Sequence, residues 1–156
     1  MAILGLAEVD QFGNVNVSKF GTRVTGPGGF INITQCTPKI VFMGTFMASD
    51  LEEEITDGEL VIKQEGKKMK FVKNVQQITF SSDQAIKNNQ EILYVTERCV
   101  FKLVKNGIEL IEIAPGIDLE KDILAHMEFK PIIAKDLKLM DERIFQDKKM
   151  NLKKDF

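Results

Sequence analysis

Two neighbouring stretches, Gly13-Asn-Val-Asn-Val-Ser-Lys-Phe-Gly21 and Gly26-Pro-Gly-Gly-Phe-Ile-Asn-Ile-Thr34, place a turn, a strand and a glycine-rich loop close together in the chain. The glycines of the second stretch allow positive φ angles and a close approach of a ligand to the main chain. Consecutive N–H groups in such a loop form a concavity for anions, which suits a phosphate or a thioester oxygen. Neither common nucleotide-binding glycine pattern is present.

The composition predicts one folded domain or part of one. With 156 residues and 44% hydrophobic content, the chain is long enough to bury a core. The net charge of −2 and pI near 5.5 give no basic face for nucleic acid. Residues 146–156 alternate lysine pairs with aspartates and are predicted to be a solvated tail, so the domain is assigned to residues 1–145.

The chain carries no signature of a membrane or metal protein. No apolar run reaches eighteen residues, and the N-terminus lacks a signal-peptide pattern, which predicts a cytoplasmic protein without membrane contacts. Cys36 and Cys99 lack Cys-x-x-Cys spacing, so we expect neither a disulfide nor a metal site. Both cysteines are predicted to be small buried hydrophobes.

The first half of the chain is predicted to be mostly strand. Hydrophobic patterning predicts a buried strand over residues 2–9 and an alternating strand over residues 15–18. It further predicts a short helical turn over residues 30–35 and a core strand over residues 39–46. Alternation on both sides of Glu65-Gly-Lys-Lys predicts a two-stranded excursion formed by residues 59–64 and 68–72.

The second half is predicted to add strands and a helix to the same domain. A short polar helix or loop is expected over residues 82–90. Three strands are expected over residues 92–95, 99–104 and 108–113, with Lys105-Asn-Gly107 as the turn between the last two. Asp118 is predicted to cap a regular helix that packs on the sheet and ends at Pro131, with a final turn over residues 141–145. The fold class is therefore α/β, with a mixed, β-rich sheet.

Four segments in the same order and spacing give the chain a specific resemblance over residues 3–145. It resembles the C-terminal portion of family I coenzyme A (CoA) transferases, in the branch of acetate/propionate CoA-transferases that also includes 3-ketoacid enzymes. The segments are Leu4-Gly-Leu-Ala-Glu-Val-Asp10 with its continuation to Gly21, Gly28-Gly-Phe-Ile-Asn-Ile-Thr34, Ile92-Leu-Tyr-Val-Thr-Glu-Arg-Cys-Val-Phe101, and Ile111-Glu-Ile-Ala-Pro-Gly-Ile-Asp-Leu-Glu-Lys-Asp122.

The resemblance implies a fold, a reaction and a missing part. The fold would be the C-terminal part of a three-layer α/β/α domain. The reaction would move CoA between an acyl-CoA and a short-chain carboxylate through a glutamyl-CoA thioester, as in short-chain fatty acid and ketone body metabolism. The nucleophilic glutamate of the family precedes the segment that matches Leu4, in a Glu-Ser-Gly or Glu-Asn-Gly context. No glutamate here has that context, so we assign no catalytic residue and expect truncation on the N-terminal side.

The resemblance also implies a binding loop. Gly29 matches the family glycine whose N–H binds the thioester carbonyl, and Gly28 and Phe30 would shape the loop. An N–H at this position stabilises the oxyanion that forms when a carboxylate attacks. Pro27 departs from the small or sulfur-containing residue usual before the glycine pair, and it removes one N–H donor. The CoA thioester would be a substrate, with no covalently bound cofactor.

Several further residues keep two interpretations. Asn14, Asn16, Lys19 and Phe20 lie in the matching turn and strand and either line the acyl or pantetheine channel or serve the turn, because Asn tolerates left-handed geometry. The lone His126 is predicted to be an ordinary helix residue. Glu97 and Arg98 form an ion pair near a cleft or mark a solvent-facing bend, and the bend is the favoured interpretation.

Two functions of different classes follow. In the first, the chain supplies the oxyanion and CoA-binding loop of a CoA-transferase whose missing N-terminal half supplies the glutamate, and the isolated chain is inactive. In the second, it is a stand-alone non-catalytic module that binds a CoA thioester or only self-associates, because truncation exposes sheet edges and favours homo-oligomers.

Overall fold

The computed structural model describes residues 1–155, which contain fifteen strands and two short α-helices. The strands are β1 (Ala2–Gly5), β2 (Glu8–Asp10), β3 (Val15–Asn16), β4 (Lys19–Phe20), β5 (Arg23–Val24), β6 (Lys39–Met43), β7 (Met47–Ala48), β8 (Glu52–Thr56), β9 (Glu59–Gln64), β10 (Lys68–Met69), β11 (Phe71–Val72), β12 (Glu91–Val95), β13 (Cys99–Val104), β14 (Gly107–Ile113) and β15 (Ile132–Leu139). The helices are α1 (Phe30–Cys36) and α2 (Ser82–Lys87).

The main sheet has six strands in the order β1-β6-β12-β13-β14-β15. Strands β1, β6 and β12 run parallel, β13 is antiparallel to both of its neighbours, and β15 is parallel to β14. The parallel pairing of β1 with β6 requires a crossover, and α1 is the helix that precedes β6. The predicted mixed, β-rich α/β architecture is confirmed.

Aromatic side chains fill the core on one face of this sheet. Ile40 and Phe42 are fully buried two residues apart in β6, as period-two alternation requires. The Phe42 ring lies 5.6 Å from Phe30, 4.9 Å from Phe80 and 5.6 Å from Tyr94, measured between ring centroids. This cluster joins α1, β6, β12 and the segment before α2 into one core.

A small three-stranded sheet, in the order β11-β2-β3, adds to the same core. Phe71 of β11 is fully buried, and its ring lies 4.8 Å from Phe46 and 5.0 Å from Phe101 of β13. The Tyr94 hydroxyl donates a hydrogen bond of 2.5 Å to the Gly13 carbonyl in the turn between β2 and β3. The small sheet is therefore fixed to the main one by both apolar and polar contacts.

Two strand predictions are corrected. The strand predicted over residues 2–9 is two strands in different sheets, because β1 pairs with β6 whereas β2 pairs with β3 and β11. The excursion predicted from 59–64 and 68–72 is wrong in its pairing. Strand β9 pairs with β8 across the Asp57-Gly58 turn, while β10 pairs with β7 and β11 with β2. The alternation of polar and apolar residues predicted which segments form strands but not which strands pair.

The C-terminal region holds a further correction. Asp118 caps a turn as predicted, accepting the Lys121 N–H at 2.8 Å, but no regular helix follows. The turn is π-helical over Leu119–Ile123 and then 3-10 over Leu124–His126. The Asp122 carbonyl accepts a hydrogen bond of 2.8 Å from the Arg98 guanidinium, which takes it out of a regular helical ladder.

Beyond this turn lies strand β15, which the sequence analysis missed. Its residues are mostly exposed at the edge of the sheet and mix charged with apolar side chains, so no clean alternation marks it. The final turn predicted over residues 141–145 is confirmed as a 3-10 helix, Glu142–Phe145.

The remaining element predictions are largely confirmed. Helices α1 and α2 and strands β6, β12, β13 and β14 lie where the pattern places them. Cys99 is buried as predicted, and burial raises the pKa of its thiol, but Cys36 is exposed at the end of α1, contrary to prediction. Across residues 1–155 no helix has the length and apolarity needed to cross a membrane.

Candidate functional site

The glycine-rich loop presents two adjacent backbone donors. Gly26 and Gly28 have φ angles of 76° and 52°, whereas Gly29 has a φ of −82°. The N–H of Phe30 donates to the Pro27 carbonyl at 3.0 Å. Within residues 1–155 the N–H groups of Gly28 and Gly29 have no backbone acceptor, and both residues are exposed. Two neighbouring N–H groups are thus open to a ligand oxygen.

Phe30 fixes this loop to the core. Its ring is buried and packs on Phe42, which is one residue from the carboxyl end of β6. The beginning of α1, and with it the loop, therefore lies towards the carboxyl ends of the parallel strands. Ligands of open α/β sheets bind outside the carboxyl ends of the strands.

Asn14 is committed to the turn between β2 and β3. It is buried, its amide nitrogen donates to Asp10 Oδ2 at 3.1 Å, and its Oδ1 accepts hydrogen bonds of 3.0 Å from both the backbone N–H and the hydroxyl of Ser82. These bonds join the turn to the beginning of α2, which is a structural role.

Asn16 also has a structural role, whereas Lys19 and Phe20 are half-buried in the adjoining β4. The fully buried Asn16 side chain donates to Glu8 Oε2 at 2.7 Å and to the Lys19 carbonyl at 2.6 Å. Its Oδ1 accepts the N–H groups of Ser18 and Lys19. The predicted lining of a substrate channel by these four positions stays a prediction.

A charged cluster that the sequence analysis did not predict centres on Arg98. Its side chain is fully buried and donates to both oxygens of Glu65, at 2.8 Å and 2.6 Å, and to Glu97 Oε1 at 3.1 Å. Its guanidinium carbon lies 5.1 Å from the centroid of the Phe46 ring. His126 Nε2 lies 3.2 Å from Glu65 Oε2. The favoured interpretation of Glu97 and Arg98 as a solvent-facing bend is therefore wrong.

The cluster also fixes the turn after β6. The second oxygen of Glu97 accepts the Phe46 N–H at 2.8 Å. Burial alone would raise the pKa of Glu65, but hydrogen bonds from Arg98 and from the Gly66 N–H outweigh it, so the pKa lies below its ordinary value. No sequence pattern marked these contacts, because Glu65 and Arg98 lie far apart in the chain and meet only through the fold.

A cavity of about 820 Å³ opens beside this turn. The ends of β6 and β12 form one wall, and the β8–β9 hairpin and the C-terminal turn form the other. Its lining is mainly apolar and includes Met43, Gly44, Val95, Ile55, Leu60, Met140 and Phe145, with Glu97 and Glu53 as carboxylates. Burial is the main cause that raises the pKa of Glu53, followed by the charge of Glu97.

One buried cation was also missed. Lys70, between β10 and β11, is 8% exposed. No prediction from the sequence concerned the burial of this residue, which follows from the pairing of β11 with β2.

The fold is α/β, with a glycine loop whose N–H groups are open at the carboxyl edge of a mixed sheet. Comparison with known proteins gives the family. The chain is 59% identical over 153 residues to a caffeate CoA-transferase of Acetobacterium woodii, which covers 95% of this chain and 29% of the relative. It is 52% identical over 147 residues to the acetate CoA-transferase YdiF of Escherichia coli K12, covering 94% of this chain and 28% of the relative.

A solved structure agrees with the sequence comparison. The thioester complex of the acyl-CoA transferase YdiF with CoA, from E. coli O157:H7, superposes with a TM-score of 0.91 at 52% identity, over 93% of this chain and 28% of that one. No family model matches the chain.

The chain belongs to the family I CoA-transferases, as the resemblance predicted, and it spans somewhat under a third of the length of these relatives.

Proposed function

We propose that this chain supplies the CoA-thioester loop of a CoA-transferase that exchanges CoA between an acyl-CoA and a short-chain carboxylate such as acetate. The single observation that carries the proposal is the pair of open N–H groups at Gly28 and Gly29, held by the buried Phe30. The similarity to acetate and caffeate CoA-transferases, and to a structure with a CoA thioester, supports it.

In this proposal the loop acts on the thioester carbonyl. The Gly29 N–H donates to the carbonyl oxygen and stabilises the negative charge that develops when a carboxylate attacks the carbon. The attacking group would be a glutamate outside this chain, whose carboxylate displaces CoA thiolate and forms an acyl-glutamyl anhydride. The thiolate then attacks the glutamyl carbonyl, which releases the acyl group as a free carboxylate and leaves a glutamyl-CoA thioester. The acceptor acid takes the CoA in the reverse sequence of steps. The chain alone would bind substrate without turning it over.

Gly29 is a good position to test, because a side chain there does not strain the fold. Its φ is negative, and a Cβ built on it meets only Ile33 Cδ1, at 3.8 Å. The test is native mass spectrometry with acetyl-CoA. The unaltered chain should form a one-to-one adduct, and Gly29→Leu should lose it because the side chain shields the two N–H groups. Gln35→Leu, exposed at the other end of α1, is the matched control and should keep it.

Two results would contradict the proposal: an adduct retained at full occupancy by Gly29→Leu, or the absence of any saturable adduct with the unaltered chain. The second result, together with a defined dimer, would favour the non-catalytic alternative.

That alternative rests on the edge of the main sheet. Strand β1 pairs with β6 on one side only, and Met1 and Ile3 are 77% and 60% exposed. An apolar unpaired edge is a template for pairing with a second copy. If the chain self-associates there, Ile3→Lys should shift the mass spectrum from dimer to monomer, whereas an unchanged dimer would exclude this edge.

A further inference from the structure

Lys70 carries its ammonium group on a side chain that is largely buried. Its side chain is 8% exposed, and its carbonyl accepts the Val9 N–H at 2.8 Å, which fixes the backbone against β2. Burial of a charge is unfavourable unless a partner compensates it. A lysine in this position therefore needs an explanation.

No direct partner for this ammonium is found in residues 1–155. No carboxylate oxygen there forms an ion pair with Lys70 Nζ within 4.0 Å, and no hydrogen bond from Nζ is formed. Every fully enclosed side-chain nitrogen or oxygen in these residues has a hydrogen-bond partner, so Nζ keeps a contact with solvent through which a ligand can reach it. Both oxygens of the nearby Glu97 are engaged elsewhere, since one binds Arg98 and the other binds the Phe46 N–H. Its charge acts on Lys70 only at longer range.

The ammonium lies at the carboxyl edge of the sheet. A Cβ built on Gly44, just after β6, would be 2.9 Å from Lys70 Nζ and 3.0 Å from the carbonyl oxygen of Leu6, just after β1. Lys70 Nζ thus sits beside the ends of β1 and β6, the edge towards which the glycine loop is directed. Gly44 also lines the apolar cavity.

The geometry points to Lys70 as the group that binds the carboxylate of the short-chain acid substrate, with Gly44 leaving room for the ammonium. This inference rests on the proposed function and adds a residue that the family resemblance did not supply. Lys70 would hold the acid at the carboxyl edge by a charge-assisted hydrogen bond, which is roughly twice as strong as a neutral one.

A small monocarboxylate fits this position better than a phosphate. The site offers one ammonium as a point charge, without the arginine fork or cluster of cations that phosphate binding commonly uses. The apolar wall of the neighbouring cavity suits a short alkyl chain. Burial lowers the pKa of Lys70, and the charge of Glu97 partly offsets this lowering. A bound anion would raise the pKa again.

The experiment observes the lysine directly. Protein labelled with ¹³C-lysine is titrated with sodium acetate, and the Cε–Hε signal of Lys70 is followed at constant ionic strength against sodium chloride. We expect a saturable shift with acetate and propionate that chloride and inorganic phosphate do not produce. The signal of Lys39 should not move, because Lys39 begins β6 at the opposite edge, where it pairs with Glu91 at 3.0 Å.

Variants extend the test to affinity. Lys70→Met keeps a similar length without the charge, and acetate binding measured through backbone amides near Gly44 should weaken by roughly tenfold or more, the loss expected for a charged hydrogen bond. Lys39→Met is the matched control and should bind acetate as the unaltered chain does. Thermal unfolding should show that both variants fold.

The inference is overturned if chloride shifts the Lys70 signal as acetate does, if acetate shifts nothing, or if Lys70→Met retains the affinity. Acetate alone is the probe, so the outcome is independent of the glycine loop. Acetyl-CoA binding without an acetate response would reject the role of Lys70 and leave the proposed function intact. An acetate response without acetyl-CoA binding would reject the thioester loop and leave the role of Lys70 intact.

Discussion

At the scale of single residues, the pair of hydrogen bonds between Arg98 and Glu65 can be tested for its effect on stability. Arg98 is fully buried, and Glu65 supplies two of its acceptors. Loss of Glu65 removes two acceptors of this buried charge and leaves it with Glu97 and the Asp122 carbonyl, which is costly even where the pair itself adds little net stability.

Glu65→Gln should therefore lower the free energy of unfolding by about 2 kcal/mol, the size expected for lost hydrogen bonds to a charged group, measured by urea denaturation at neutral pH. Glu54→Gln is the matched control, because Glu54 pairs with Lys63 on the surface, where an ion pair contributes little. Equal midpoints for Glu65→Gln and the unaltered chain would show that Arg98 does not depend on Glu65.

The same carboxylate predicts a pH dependence. The pKa of Glu65 is lowered in the folded protein from an ordinary value of 4.5. Its contribution is then fully present above that value and is lost as the pH falls through the lower folded pKa. The stability difference between the unaltered chain and Glu65→Gln should be constant near neutral pH and shrink in acid. A difference that grows in acid would contradict the assignment.

At the scale of elements, the turn between β13 and β14 tests the hairpin prediction. Gly107 has a φ of 132°, and a Cβ built on it would lie 2.6 Å from the Gln11 carbonyl oxygen. Gly107→Ala combines backbone strain with a clash against main chain, so we expect a loss of about 2 kcal/mol or more. Gly29→Ala, with its negative φ and open surroundings, should be nearly neutral in the same thermal unfolding assay.

Strand β8 is expected to be much less protected than the central strand β12. All residues of β8 are exposed, and the strand pairs only with β9, whereas β12 lies between β6 and β13 with Ile92 and Tyr94 buried. Local opening is easiest where few apolar contacts hold an element. Hydrogen exchange should be fast in β8 and slow in β12, and comparable rates would contradict this order.

The elements also show what the sequence could predict. The turn at Lys105-Asn-Gly107 and the apolar segments on both sides of it predicted β13 and β14 correctly, because both signals are local. Lys70 was missed because its burial depends on the parallel pairing of β11 with β2, a contact between distant segments. The Asp118 cap was predicted, but the irregular turn after it was not, since the cause is a hydrogen bond from Arg98.

The candidate site divides in the same way. Residues Gly28, Gly29 and Phe30 could be predicted because they belong to one continuous sequence motif. Glu65 and Arg98 meet only in the folded chain, so no spacing rule could join them.

At the scale of the whole molecule, the chain matches somewhat under a third of the length of its CoA-transferase relatives. We therefore expect substrate binding without turnover. Incubation with acetyl-CoA and isotopically labelled acetate should leave the label outside the thioester, as read by mass spectrometry. Sustained exchange that is abolished by changing one of the chain's own glutamates would contradict this expectation.

The most direct test of the central claim is an amide ¹H–¹⁵N titration of the chain with acetyl-CoA. The claim predicts saturable shifts that are largest at Gly28 and Gly29, whose N–H groups are open in the loop, with smaller shifts along α1. The absence of saturable shifts, or shifts confined to the β8–β9 hairpin and the Glu142–Phe145 turn, would contradict it and place any ligand in the apolar cavity instead.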